Sequence, residues 1–162
     1  MTFPRGAINE AFALLPSKWD TPQARILHAA IGYQETKYLH RRQVIEVDGR
    51  LVERGPACGY WQFEKGGAVK GLMNFGGLVT SKAMQVCNVR GVPWRRDDVW
   101  IALSQDDVLA AAFARLLMYS DPHNLPVTQA DAWDFYLRTW RPGKPHPEDW
   151  PKSWAFANEQ SL

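Results

Sequence analysis

The hydrophobic pattern of this 162-residue chain changes period once. Val44-Ile45-Glu46-Val47 and Arg50-Leu51-Val52-Glu53 flank an Asp48-Gly49 pair. Both central residues of a type I′ turn need positive φ, which Asp-Gly tolerates, and the flanking β-branched residues suit strands. The segment therefore predicts a β-hairpin. It is the one good strand signal in the chain. The rest reads at the helical period of 3.6 residues, so the expected architecture is mainly α with one small hairpin early on.

The helices can be placed by their stripes and their ends. Gly6 to Leu15 predicts a short helix with Ile8, Phe12 and Leu15 on one side, closed by Pro16. Asp20-Thr21-Pro22 is a start signal, a capping side chain followed by proline at the first helical position. That helix should run to about Leu39, with Ala24, Leu27, Ile31 and Tyr38 on its apolar stripe. Seven glycines between positions 55 and 77 predict a loop-rich stretch after the hairpin. Leu78 to Val89 is a further helix. Ser104, with Asp107 three residues on, is expected to cap another, which Asp121-Pro122 stops. Thr128 with Asp131 starts one that ends near Trp140, and one more turn is expected near Trp154. No repeat or linker divides the sequence, so residues 1–162 read as a single domain.

Composition narrows the function. Hydrophobic residues make up 46% and charged residues 22%, a globular balance. Nineteen basic against 17 acidic residues is too even for a nucleic-acid sleeve. No apolar run approaches the roughly 18 residues of a membrane span, and the N-terminus shows no secretory pattern. Cys58 and Cys87 are too few for a four-ligand zinc site and read as free thiols. His123 and His146 lack ligand spacing, so neither metal nor cofactor is expected. The excess lies in tryptophan, eight residues.

Glu35 sits about 40° from Ile31 and about 60° from Tyr38 around the helix, at the edge of the buried stripe. A carboxyl there loses hydration, which raises its pKa toward what a general acid needs near neutral pH. The plainer alternative is a surface pair with Lys37 or Arg41. His28, on the same side, is expected to be a packed or hydrogen-bonded core residue. Downstream comes Gly59-Tyr60-Trp61-Gln62. Glycine permits close approach, Tyr60 and Trp61 offer flat faces, and Gln62 offers an amide, all features that suit a glycan carrying acetamido groups.

Taken together, Glu35-Thr36 at a helix end and Gly59-Tyr60-Trp61-Gln62 resemble the lysozyme-like superfamily, lytic transglycosylases and goose-type lysozymes in particular. Thr36 stands where that family usually has Ser, and Tyr60-Trp61 where it has Leu-Met. The hairpin around Asp48-Gly49 occupies extra length between the two motifs. An aromatic-rich segment late in the chain, Asp134 to Gly143, falls in the family's order, with Tyr136 as the tyrosine at the cleft. The resemblance implies an α+β fold: a helical bundle with a small hairpin after the helix that bears the acid.

It also implies cleavage of peptidoglycan glycan strands by a monomer acting without a cofactor, with Glu35 as general acid and then base. A second carboxylate would have to come from Glu46, Glu53 or Glu64; without one, the sugar's own hydroxyl closes a 1,6-anhydro ring. The transglycosylase route is favoured over the muramidase route on the family resemblance. Size, helical bias and the lack of a leader resemble a bacteriophage endolysin, made in the host cytoplasm and released to the wall by a holin. A chitinase-like hydrolase and a non-catalytic wall-binding or virion module are the competing expectations. Arg41-Arg42, Arg95-Arg96 and Arg138 with Arg141 are either solvated surface or contacts for peptide carboxylates of the wall.

Overall fold

The computed structural model describes residues 2–160. The chain is mainly helical, with a small antiparallel sheet of three strands, an α+β arrangement. Helices α1 (Arg5–Ala13) and α2 (Pro22–Thr36) precede strands β1 (Arg42–Val47), β2 (Arg50–Cys58) and β3 (Phe63–Glu64). Helices α3 (Lys70–Asn74), α4 (Gly77–Val89), α5 (Arg96–Ala102), α6 (Asp107–Ser120), α7 (Gln129–Trp140) and α8 (Trp150–Glu159) follow.

Helix α6 is the axis of the core. Every residue from Val108 to Leu116 is buried, as expected of a helix that is apolar all round. Helices α1, α2, α3 and α4 pack against it. Its N-cap is Asp106, whose carboxylate accepts from the amides of Val108 (2.9 Å) and Leu109 (3.1 Å). Ser104, the expected cap, instead donates to the Ile101 carbonyl and closes α5, a helix its short sequence did not announce. The carboxylate two residues later serves two orphan amides, where the serine could serve one.

Helix α2 begins as its sequence predicts, with Thr21 Oγ1 accepting from the Ala24 amide at 3.1 Å. It ends at Thr36, short of Leu39. Lys37 and Tyr38 turn left-handed, with φ of 52° and 55°. Tyr38 then folds back along the helix, where its hydroxyl donates to the Ala29 carbonyl at 2.9 Å. Its ring fills the groove over Gly32, where any Cβ would collide with it. Burial of this ring overrides continuation of the helix.

The hairpin forms in the expected register, Val47 opposite Arg50, with Asp48 and Gly49 at φ of 51° and 75°. The third strand pairs Ala57 and Cys58 with Glu64 and Phe63. Between Arg42↔Cys58 and Val44↔Glu53 the ladder is irregular, leaving residues 54–57 opposite Gln43 alone. Gly55 is needed there, since a Cβ would come within 2.6 Å of Gln43 Cβ. The tail is a ten-residue helix, α8, rather than one turn; Trp150, Ser153 and Ala157 form its buried side. Cys58 and Cys87 are buried free thiols, and burial pushes the Cys87 thiol up to about 12.

Candidate active site

Glu35 occupies the last turn of α2 and opens onto a cleft of about 1380 Å³. Small-molecule pockets run to roughly 300–1,000 Å³, so this cleft suits a longer ligand. One wall is the end of α2 with the sheet. A second is the stretch from Gly66 to Phe75, and the third is α7 with the loop from Arg141 to His146.

Glu35 Oε1 accepts a hydrogen bond from the Tyr136 hydroxyl at 2.7 Å, across 101 residues of sequence. Its pKa is raised from the usual 4.5 to about 7. Burial is the main cause, the Tyr136 bond works against it, and the charge of Glu64 adds to it. The Tyr136 hydroxyl is pushed up by burial and by Glu35, so it stays a donor. Neither cation considered as a surface partner reaches Glu35: Lys37 lies 3.6 Å from Asp149, and Arg41 grips Asp107 at 2.7 and 2.8 Å.

The surroundings hold this pair in place. Tyr136 stacks on Trp150, ring centres 5.5 Å apart and planes within 9°. Gln34, beside Glu35, accepts from Ser153 Oγ (2.7 Å) and donates to the His146 carbonyl (3.1 Å). Thr36 Oγ1 lies 2.9 Å from the Tyr60 carbonyl and 3.2 Å from that of Gly32, and accepts from the Tyr38 amide. The helix end is thus tied to both α8 and the sheet.

Of the other predicted residues, Gln62, Glu64 and Tyr136 line the cleft. Gly59, Tyr60 and Trp61 do not, and the expectation that they contact glycan is corrected. Trp61 is 0% exposed; its Nε1 donates to the His28 carbonyl at 2.9 Å and its ring packs on His28 and Tyr38. Tyr60 is buried beneath the Arg41 guanidinium. Gly59 has φ of 77°, and a Cβ there would meet the Leu103 carbonyl at 2.6 Å, so this glycine serves packing against α5. Left-handed turns at Gly59 and Gln62 bracket the pair, sending the two aromatics inward while Gln62 reaches the cleft. Its Nε2 is held by the Gly59 carbonyl at 3.0 Å.

Glu46 and Glu53 are also corrected as second carboxylates. Both are exposed on the hairpin and neither lines the cleft; Glu53 is bonded to His40, which does, at 2.7 Å. Glu64 alone of the three lines the cleft. His28 is fully buried, its Nε2 facing the Ala111 carbonyl, and burial lowers its pKa to about 3, so it is a neutral core residue.

Trp140, in the same aromatic segment as Tyr136, lines the cleft while donating to the Trp61 carbonyl at 2.8 Å. Phe75, 57% exposed there, had no place in the sequence reading. A bulky apolar residue set between Asn74 and Gly76-Gly77, outside any apolar stripe, was the available signal for Phe75. Among the described residues, no group of three His, Cys, Asp or Glu is placed to hold a metal ion.

The two neighbours of Glu35 act on its proton with opposite sign, which gives a paired test. Tyr136→Phe removes a donor to the carboxylate, so the Glu35 pKa rises and any activity needing the protonated acid extends to higher pH. Glu64→Gln removes a like charge, so the same alkaline limb moves to lower pH. Titration of Glu35 by NMR in the two variants should show these opposite displacements; movement in the same direction would refute the assigned causes. No protein-family model matches the chain, and no significant similarity to a curated protein or to a solved structure is found.

Proposed function

We propose that this protein is a glycosidase of the lysozyme-like kind, cleaving the β-1,4 bond between N-acetylmuramic acid and N-acetylglucosamine in peptidoglycan. The proton that Glu35 retains near neutrality, at the floor of a polymer-sized cleft, carries the proposal. Glu35 gives that proton to the glycosidic oxygen as the bond to the sugar's anomeric carbon breaks, and positive charge develops on the ring. Tyr136, hydrogen-bonded to Oε1, keeps the carboxyl oriented and stabilises the carboxylate left behind.

Two outcomes remain from that point. In the transglycosylase route Glu35 takes the proton back from the sugar's C6 hydroxyl, whose oxygen closes the 1,6-anhydro ring. In the muramidase route a water attacks, and Glu64, which lines the cleft, is the carboxylate proposed to assist. We favour the first, in keeping with the resemblance of the Glu35-Thr36 and Gln62 motifs to lytic transglycosylases. The biological setting that accompanies it is host lysis by a phage, with a holin giving access to the wall.

Mass spectrometry of soluble fragments from purified peptidoglycan tests both levels. Anhydro-muramic ends are the expected product. Reducing muramic ends would move the assignment to hydrolysis, and binding to the wall without any fragments would overturn the enzyme assignment.

A further inference from the structure

The arginine pairs divide sharply once their partners are known. Arg41 is held by Asp107, Arg95 by Asp98 and Arg138 by Asp121. Arg42 is different. It lines the cleft on the sheet wall and, like Arg141 after α7, makes no ion pair among the described residues. Its position is nonetheless fixed. Neither Gly55 nor Pro56 has a partner across the ladder, because the irregularity in β2 lifts them out of it. Their two carbonyls are taken by side chains instead: Arg42 Nε donates to Gly55 at 2.7 Å and Trp100 Nε1 to Pro56 at 2.8 Å. The guanidinium lies 4.7 Å from the centre of the Trp100 ring. Irregularities of this type re-aim side chains beside functional sites.

Arg42 thus offers a half-buried cation whose stem and Nε are held, while its two terminal nitrogens donate to no acceptor among the described residues. Two parallel N–H groups on a fixed guanidinium match the two oxygens of a carboxylate. A cation held by an aromatic face and a carbonyl, rather than by a counter-ion, keeps its charge available to a ligand. We propose that Arg42 is a carboxylate-recognition residue that makes the cleft selective for an acidic glycan over a neutral one. The proposal deepens the glycosidase assignment by naming the substrate's charge class, and it rests on that assignment for the glycan.

The test is a binding titration of the full chain with a soluble disaccharide-peptide oligomer of peptidoglycan, in its free-acid form and with the peptide carboxylates converted to amides. The wild type should bind the acid form about tenfold more tightly, the scale of a charged hydrogen-bonded pair. Added salt should shrink the difference. Arg42→Gln should erase the preference, and Arg42→Lys should keep part of it as a point charge without the fork. Glu35→Gln, used as the control for chemistry, should keep the preference intact. If the protein binds both forms equally, or neither, or if Arg42→Gln retains the preference, the inference falls. If Arg42→Gln does not fold, the salt dependence and the Arg42→Lys ratio decide the matter alone. Failure of the glycosidase assignment shows separately, as a preference for the acid form with no bond cleaved.

Discussion

Glu35→Gln is expected to abolish lysis of permeabilised Gram-negative cells while making the protein more stable at neutral and alkaline pH. A positioned general acid contributes about 10²–10⁴-fold to rate, and glutamine has no proton to give, so the loss should reach that scale. The stability gain follows from linkage. The folded pKa of Glu35 lies at about 7, above the usual 4.5. Below 4.5 the group is protonated in both folded and unfolded chains and carries no penalty. As pH rises from 4.5 to about 7 the folded protein loses stability relative to the unfolded chain, and the loss levels off above that. The displacement corresponds to about 3 kcal/mol. A glutamine side chain does not titrate, so thermal melts at about pH 4 and about pH 8 should differ less in the variant than in the wild type. A variant that still clears cells would sink the role of Glu35. Equal pH dependence of melting would show that the carboxyl is better hydrated than its surroundings indicate.

Trp61→Ala should cost about 3–5 kcal/mol, enough to threaten folding, because it empties a fully enclosed indole site. It also removes the bond from Nε1 to the His28 carbonyl, which is left with its place in the α2 ladder alone. Trp61→Phe is the informative companion. It refills most of the volume, so the chain should fold with a lowered melting temperature and an unchanged KM on any glycan substrate. A raised KM with unchanged melting would restore Trp61 to the cleft as a sugar platform and contradict its burial.

That substitution marks where sequence and structure part. Glu35 could be found from its wheel position, because a helix places a residue relative to its own stripe with little freedom. Tyr136 could be named only from motif order; nothing local in either segment encodes a 2.7 Å contact between residues 101 apart. Tyr60-Trp61 went to the wrong side because a core aromatic and a ligand-facing one have the same composition. The two left-handed backbones at Gly59 and Gln62 decide which way they point, and only the glycine hints at such a turn. The hairpin was legible because Asp-Gly prescribes its turn, whereas its irregularity was not: residues 54–57 read as ordinary strand and loop. Ser104 and Asp106 both qualify as the cap of α6; the carboxylate takes two amides there while Ser104 is drawn to the Ile101 carbonyl.

Residues near position 150 complete what α2 begins: Trp150 backs Tyr136, and Ser153 and the His146 carbonyl clasp Gln34. The setting of Glu35 therefore depends on partners more than 100 residues downstream. A copy cut before His146 would leave Gln34 without these two partners and Tyr136 without the ring it stacks on. What fixes the surroundings of Glu35 is thus distant from it in sequence, so loss of this segment would loosen the carboxyl's environment without touching Glu35 itself.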